Sequence, residues 1–345
     1  MKSKFSFLAK TTALVIAASC FSWAAHAETD TQNTSLNEAA PAYSHGEISR
    51  QAKQYSDYDL SVSNLLKMGW TMAEISDLSE DEILKYSDII NYQTAENYIC
   101  SYSDENNEEH LVSVPKDVFD HVISKNNTEE DKNAKVEISS MSSSGKLNIS
   151  PIWSSEYYDS YAFDGKMKQT ANLTWKGNNT YFSNYRCEWV EEPSVQWREA
   201  IYICNNGGLN PSFSTSYFVY KYNRYRNLMS EEVWREWKNN DVIGEGYLEQ
   251  KTSKNGVGYT FDFSKDIIGS DDFLTETRNH RIYMSNSYTV NPGYNSVVTC
   301  AGYYHATSIL ANTFLTDITS TGGILESNNH IELCNPTLYL NATNY

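Results

Sequence analysis

The stretch KQTANLTWKGNNTYFSNYRCEWV, residues 168–190, decides the fold class. It contains two runs rich in Thr, Tyr, Phe and Trp, which favour strands, and the turn sequence KGNN lies between them. Similar runs recur after it, with turn signals such as EEPSVQ, NNGGLN, SKNG and NPGY between them. They are REAIYIC, SFSTSYFVYKYNRY, EGYLEQKT, VGYTFDF, RIYMSNSYTV, NSVVTCAGYYH and IELCNPTLYL. The sequence therefore predicts a mainly β fold, an antiparallel β-sandwich or open barrel.

One helix is predicted among these strands, in MSEEVWREWKNND, residues 229–241. Ser230 is a suitable cap, and Glu231 and Glu232 follow in the first turn, where the helix dipole favours negative charge.

A small helical and hairpin unit is predicted to precede the β region, over residues 57–123. In LLKMGWTMAEISDLSEDEILKYSDII the apolar spacing becomes helical, and Gly69 is suited to end a first short helix. Thr71 with Glu74, and Ser79 with Glu82, each match a capping box.

The helical piece is followed by a predicted hairpin, ENYICSYSDENNEEHLVSVP, residues 96–115. A DNA-binding helix-turn-helix is disfavoured for this unit because the segment is acidic and follows an export signal.

The first 27 residues have the features of a secretory signal peptide. Three lysines precede an apolar stretch, and Ala25-His26-Ala27 matches a cleavage site, so the mature chain is expected to begin at Glu28. Lipid attachment at Cys20 is the alternative, but the usual leucine three positions before the cysteine is missing. A secreted or periplasmic location follows, with no transmembrane segment in the mature chain.

The predicted organisation has three further parts. Residues 28–56 are polar without periodicity and predict a disordered leader, and residues 124–148 are serine-rich and predict a linker. The antiparallel β domain then occupies residues 149–345. Whether residues 124–148 divide two domains or form one long loop stays open.

The charge balance disfavours nucleic acid as a partner. The chain carries a net charge of −17, and loss of the three lysines of the signal peptide makes it −20. Phosphate backbones require clustered Lys and Arg, which this chain lacks.

Tyrosine is abundant, with 26 residues in a chain of mean hydropathy −0.56. One interpretation is a β-rich exported domain with half-exposed tyrosines, and the other is an aromatic surface that stacks on sugars.

The cysteines are predicted to form disulfides, since export leads to an oxidising compartment. A hairpin folded between Val195 and Gln196 would place Cys187 directly opposite Cys204. Cys300 and Cys334 could form a second bridge, which leaves Cys100 alone; other pairings stay open.

No metal, cofactor or phosphate-binding motif is present in the sequence. It contains no Cys-x-x-Cys, no Gly-x-Ser-x-Gly and no paired histidines at helical spacing, so neither a cofactor nor a metal is predicted. The histidines after the signal peptide are His45, His110, His121, His280, His305 and His330.

Two paired carboxylates are enough for glycoside hydrolysis, so this activity stays open. The acidic residues near β-type runs are Glu188, Glu191, Glu192, Asp262, Asp266, Asp271, Asp272 and Glu276. In a chain with 44 acidic residues, solvated surface positions are the simpler interpretation.

Two local features have both a structural and a functional interpretation. His305 ends an apolar run, where a core histidine is favoured over a catalytic one. The run SFSTSYFVYKYNRY is similar to the amphipathic hairpins of pore-forming toxins, but Arg224 and Arg226 interrupt its face, which favours a half-buried strand.

The segments LLKMGWTMAEISDLSEDEILKY, YRCEWVEEPSVQWREAIYI, GVGYTFDF and AGYYH resemble elements of a loose family of secreted bacterial proteins. These have an N-terminal helical piece and a C-terminal β-rich region. The resemblance implies export and this layout, and it transfers no catalytic position.

The sequence as a whole favours a non-enzymatic binding or structural protein at the cell exterior, with exposed aromatic residues as contact groups. Its partner would be an extracellular ligand, a protein or a glycan. A secreted glycoside hydrolase and a membrane-active toxin are the alternatives.

Overall fold

Antiparallel strands make up most of the computed structural model. It describes residues 40–48, 56–103, 109–126, 163, 165–228, 235–236, 242–243, 247–263, 267–268, 273–291, 296–308, 314–326, 331–333 and 338–343. These residues all fall in one compact unit, Glu38–Tyr345. None of the helices in these ranges is long and apolar enough to cross a membrane.

The secondary structure consists of short helices and strands of 2 to 20 residues. The helices are α1 (Asp57–Lys67), α2 (Met72–Ser76), α3 (Glu80–Leu84) and α4 (Lys116–Asn126). The strands are β1 (Ala42–Glu47), β2 (Asn91–Ser103), β3 (Glu109–Val114), β4 (Gly165–Gly177), β5 (Thr180–Glu191), β6 (Arg198–Asn205), β7 (Leu209–Leu228), β8 (Arg235–Glu236), β9 (Val242–Ile243), β10 (Leu248–Ser253), β11 (Gly256–Asp262), β12 (Ile267–Ile268), β13 (Phe273–Val290), β14 (Ser296–Ala306), β15 (Phe314–Ile318), β16 (Gly323–Glu326), β17 (Ile331–Leu333) and β18 (Leu338–Thr343).

The larger sheet, sheet A, has ten strands. Its main path is β1-β2-β4-β5-β13-β7-β8, with β3 beside β2, β12 beside β13 and β9 beside β7. The β4–β5 hairpin lies near its centre and comes from the stretch that decided the fold class. Asn178 and Asn179 have φ of 50° and 59°, and Gly177 is opposite Thr180. A two-residue hairpin turn needs this left-handed backbone, which asparagine tolerates better than most residues.

The second sheet, sheet B, packs face to face with sheet A. Its path is β10-β11-β6-β14-β17, with β18 also beside β14. Alternate residues of β5 (Tyr181, Tyr185, Cys187 and Trp189) meet Ile201 and Ile203 of β6 in the main hydrophobic core. The prediction of a mainly β, antiparallel fold of sandwich or open-barrel type is therefore confirmed.

Each sheet has a further covering layer. The hairpin of β15 and β16 packs on the outer face of sheet B through Leu315 and Ile318. Helices α1 to α3 cover the other face of sheet A, where Leu65, Trp70 and Ile83 contact Phe182 and Tyr283. Both faces of the central strands of sheet A are consequently buried.

The N-terminal hairpin is part of sheet A. Strands β2 and β3 pair as predicted, with Tyr98 opposite Val114, and β2 also pairs with β4 along its length. The proposed unit 57–123 thus shares a sheet with the region after residue 149. Its division into independently folding domains stays a prediction, and most of the linker 124–148 lies outside the described residues.

Two short segments differ from the sequence interpretation. Ala42–Glu47, placed in the disordered leader, forms β1, because β2 offers an edge whose backbone groups it pairs in register. Of the predicted helix over 229–241, the structure describes only Arg235–Glu236, which form strand β8 beside β7. The signal peptide lies outside the described residues.

The predicted hairpin between Cys187 and Cys204 is wrong. Cys187 lies in sheet A opposite Gln169 and Ile282, whereas Cys204 lies in sheet B. The segment EEPSVQ does not form a tight turn, because it connects the two sheets and Glu109 accepts hydrogen bonds from its backbone at Ser194 (3.1 Å) and Val195 (3.0 Å).

Cys100, Cys187, Cys204 and Cys300 are buried thiols in the structure. Cys334 lies outside the described residues, so its predicted bridge to Cys300 stays a prediction.

The two capping boxes have different outcomes. Thr71 and Glu74 form the complete reciprocal box. Ser79 caps α3, accepting from the Glu82 backbone, but the Glu82 side chain points away from the cap.

Glu82 is instead the polar anchor of the helical layer. Its carboxylate is buried, with 1% exposure, and accepts hydrogen bonds from Tyr283 Oη (2.6 Å), from Ser285 and from Lys85. Tyr283 and Ser285 belong to β13, so this one carboxylate connects α3 to the centre of sheet A.

We expect Glu82→Ala to lower the free energy of unfolding by about 3 kcal/mol, because buried donors on Tyr283 and Ser285 lose their acceptor. Urea denaturation checks this value. Glu80→Ala, at an exposed position of the same helix, is the matched control and should cost well under about 1 kcal/mol. Equal stabilities for the two variants would contradict the anchoring role of Glu82.

Candidate functional site

A groove between the helical layer and sheet A is the candidate site. Side chains from β5, β7 and β13 form its floor, because the residues between the core-facing positions of these strands point toward the helices. It contains about 380 Å³ of open space continuous with solvent. The lining residues are Trp70, Glu74, Asp77, Leu78, Arg186, Cys187, Glu188, Val219, Lys221, Arg281, Ile282 and Tyr283.

Arg186 is the most unusual side chain in the groove. It is only 6% exposed, and its guanidinium carbon lies 3.9 Å from the ring centroid of Trp70. Glu74 Oε1 lies 3.2 Å from Arg186 Nε, yet none of the three guanidinium nitrogens forms a hydrogen bond with any residue that the structure describes. Burial lowers the pKa of Arg186, and the nearby carboxylate of Glu74 opposes that shift.

Trp70 contributes a second donor without a partner. Gly69, at φ +86°, ends α1, and the backbone N–H of Trp70 then donates to the Leu65 carbonyl at 3.1 Å. This turn places the indole against sheet A with 4% exposure, where its Nε1 has no hydrogen-bond partner. Buried donors are rarely left unpaired, so these two side chains require acceptors that the described residues do not supply.

Three carboxylates surround these donors. Glu74 completes the capping box of α2, and Asp77 forms ion pairs with Arg281 (2.7 Å) and Lys221 (3.5 Å). The third, Glu188, has its pKa raised by burial and by the neighbouring charge of Glu74. With three acidic and three basic residues the groove is balanced in charge, which disfavours polyanions and suits ligands that both donate and accept hydrogen bonds.

Only one of the candidate hydrolase carboxylates, Glu188, lines the groove. Glu191 pairs with Lys166, Glu192 accepts from the Asn279 backbone at 2.6 Å, and Asp262 pairs with Arg198 at 2.7 Å. Glu276 lies in β13, and Asp266, Asp271 and Asp272 are outside the described residues. Sequence reasoning missed Glu74 and Asp77 because they come from the helical unit, far away in the chain.

His305 lies in a buried polar cluster away from the groove. Its Nδ1 is 3.1 Å from Glu199 Oε1 and its Nε2 is 3.1 Å from Glu109 Oε2, and all three side chains are almost fully buried. Glu109 belongs to sheet A and the other two to sheet B, so the cluster joins the sheets. The interpretation of His305 as a core histidine with satisfied nitrogens agrees with this geometry.

The remaining histidines are separate from one another. His280 is buried against Tyr220, whose hydroxyl lies 2.6 Å from its Nδ1, and His45 lies in β1. His110 is in β3 and His121 in α4, while His330 is outside the described residues. Within the described ranges, no three His, Cys, Asp or Glu side chains are grouped to hold a metal ion.

The aromatic residues are less exposed than the sequence suggested. Trp70, Trp189 and most described tyrosines are buried, while Tyr43, Tyr58 and Phe213 are exposed. In the run SFSTSYFVYKYNRY, Tyr220 and Tyr222 pack into the main core and Tyr217 and Val219 face the helices. From Tyr217 to Tyr222 this run is therefore a strand with both faces covered, whereas Phe213 near its start is exposed.

Comparisons with known proteins give only remote structural similarity. The sequence matches no protein-family model and no curated protein. A collagen-binding domain from a Staphylococcus aureus adhesin aligns with 7% identity over 47% of this chain and 88% of that one, at a TM-score of 0.22. A pore forming protein aligns with 9% identity over 52% and 85%, at 0.24, and the membrane-inserted NetB toxin of Clostridium perfringens with 8% over 51% and 88%, at 0.18. Scores this low support no functional assignment.

We expect His305 to stay protonated well above neutral pH. Burial lowers its pKa, but Glu199 and Glu109 outweigh burial and raise the pKa to about 10. Because the folded pKa exceeds the ordinary value of about 6.5, the stabilisation is complete below that pH and is lost as pH rises toward 10. NMR titration of the imidazole checks this.

The matched comparison is His305→Gln, whose amide nitrogen can still donate to a carboxylate but which does not titrate. Between pH 6.5 and 10 the free energy of unfolding of the wild type should fall by about a few kcal/mol more than that of the variant. An imidazole that titrates below pH 7 would contradict the prediction.

Proposed function

We propose that this chain is an exported binding protein whose groove recognises a carboxylate-bearing saccharide. The observation that supports it most is the convergence of Arg186 and Trp70, two buried side chains with unpartnered N–H donors, on one open groove. Export rests on the features of residues 1–27, and the role of a binder rests on the groove.

A carboxylate matches the donors best. The guanidinium presents parallel N–H groups in a planar fork that fits two carboxylate oxygens, and a charge-assisted pair is roughly twice as strong as a neutral hydrogen bond. The indole N–H adds one further donor. A tetrahedral phosphate carries more negative charge, and a groove with equal numbers of acidic and basic residues offers it no excess of positive charge.

A sugar fits the rest of the groove. Hydroxyl groups donate as well as accept, so the carboxylates of Glu74, Asp77 and Glu188 offer them acceptors next to the Arg186 donors. The groove is open to solvent on one side, so one sugar residue, or the end of a longer chain, is the expected occupant.

The test uses glucuronate and glucose, two probes that share one ring and differ in the carboxylate. We expect calorimetry to show binding of glucuronate and at least tenfold weaker binding of glucose. Arg186→Lys should weaken glucuronate binding about tenfold or more, since the fork is lost, and Trp70→Phe about tenfold, since a hydrogen bond to a charged group is lost.

Arg198→Lys is the matched control. Arg198 also pairs with a carboxylate and lies 4.1 Å from an aromatic ring centroid, that of Tyr247, but outside the groove. Its variant should bind like wild type. Equal affinity for the two sugars, or equal loss in Arg198→Lys and Arg186→Lys when both are folded by circular dichroism, would overturn the proposal.

Glycoside hydrolysis is a second candidate function, favoured by one observation. The raised pKa of Glu188 keeps its carboxyl protonated to higher pH than an ordinary glutamate, as a general acid requires, and two further carboxylates line the same groove. Release of reducing ends from an acidic polysaccharide by wild type, abolished in Glu188→Gln, would favour hydrolysis over binding alone.

A further inference from the structure

Cys204 and Cys300 face each other across two neighbouring strands of sheet B. Cys204 of β6 is directly opposite Cys300 of β14 in the antiparallel register. Both side chains lie on the outer face of the sheet, in the cluster formed with Tyr202, Leu315 and Ile318. The two thiols are close enough to hydrogen-bond to each other.

The geometry of this pair suits a covalent bond. Directly opposed residues of an antiparallel ladder have Cα atoms about 4.5 to 5.5 Å apart, inside the range of about 4.4 to 6.8 Å that a disulfide accepts. We propose that Cys204 and Cys300 form a disulfide that joins β6 to β14 across sheet B, in place of the predicted bridge between Cys300 and Cys334.

Neither of the other two described cysteines has a cysteine directly opposite it. Cys187 lies in the main core, together with Ile201 and Ile203 of the inner face of β6, whereas Cys204 is on the outer face of that strand. Cys100 lies in β2 of sheet A, opposite Val112 and Lys166. Neither reaches Cys204 without rearrangement of a strand.

The reaction is a two-electron oxidation by thiol–disulfide exchange. A thiolate of one cysteine attacks glutathione disulfide, forming a mixed disulfide and releasing one glutathione thiolate. The thiolate of the second cysteine then attacks the protein sulfur of the mixed disulfide and releases the second glutathione thiolate. The two protein thiols lose two protons and two electrons, and the oxidant is reduced to two thiols.

The bond forms before the sandwich closes. In the folded protein both cysteines are buried, with exposures of 0% and 3%, and burial raises the pKa of the Cys204 thiol well above its usual range. The thiolate needed for exchange is therefore scarce and shielded in the folded state, whereas it is accessible while the strands assemble.

Peptide mapping of the unreduced protein tests the proposal. The denatured, reduced full-length chain is refolded in a glutathione redox buffer, free thiols are alkylated, and the product is digested with trypsin and a glutamyl endopeptidase. Both proteases are needed, because no Lys or Arg follows Arg281, so only cleavage at Glu326 or Glu332 separates Cys300 from Cys334.

We expect one linked pair of peptides that carries Cys204 and Cys300. Cys204→Ala should remove that pair and make the unfolding midpoint insensitive to reductant, while Cys187→Ala, the control, should retain both. Alkylated Cys204 and Cys300, or either of them linked to another cysteine, would overturn the proposal even if a variant failed to fold, because the wild-type map alone decides the pairing.

Discussion

One buried carboxylate determines how the helical layer lies on sheet A. Glu82 is nearly inaccessible to solvent, and an ionised carboxylate in that position is tolerated only because Tyr283, Ser285 and Lys85 donate to it. Since two of these donors lie on β13, the helices have one satisfactory register on the sheet. That register places Trp70, Glu74 and Asp77 opposite Arg186, and so creates the groove.

The same face of sheet A carries a connected polar network. Tyr86 Oη lies 2.9 Å from Tyr283 Oη and accepts from Asn184 at 2.7 Å, and Asn184 in turn accepts from Asn172 at 2.9 Å. Such a network is stabilising only when its members are satisfied, and these side chains are. The nitrogens of Arg186 and Trp70 differ from this network, because they have no hydrogen-bond partner among the described residues, and both side chains line the same open groove.

Local sequence patterns predicted the strands and the first capping box, but they did not predict the long-range contacts. Nearly all the described residues of the nine β-type runs lie on strands, because alternating aromatic and polar residues match the two faces of a sheet. Ser79 and Glu82 matched a capping box, but the Glu82 side chain bonds to residues about 200 positions later. The prediction that Cys187 lies opposite Cys204 was wrong for a related reason. The segment EEPSVQ has the composition of a turn, and only the folded structure shows that it connects two different sheets.

Arg186 offered one signal that sequence reasoning passed over. It interrupts a strand whose neighbouring positions are aromatic or apolar, in FSNYRCEWV, and a long cation there requires either solvent or a partner. Its unmet hydrogen bonds depend on Trp70 and Glu74, more than 100 positions earlier, so they could be found only in the folded structure.

We propose that Arg186 and Trp70 together hold a carboxylate, and an NMR titration of ¹⁵N-labelled protein with glucuronate tests this at the two groups themselves. If they do, the resonances of the Trp70 indole N–H and the Arg186 Nε–H shift along one saturation curve. The indole resonance of Trp189, which donates to Tyr303 at 3.4 Å in the core, then does not shift. Binding of glucuronate without a shift of the Trp70 and Arg186 resonances would show that these two side chains do not hold the carboxylate.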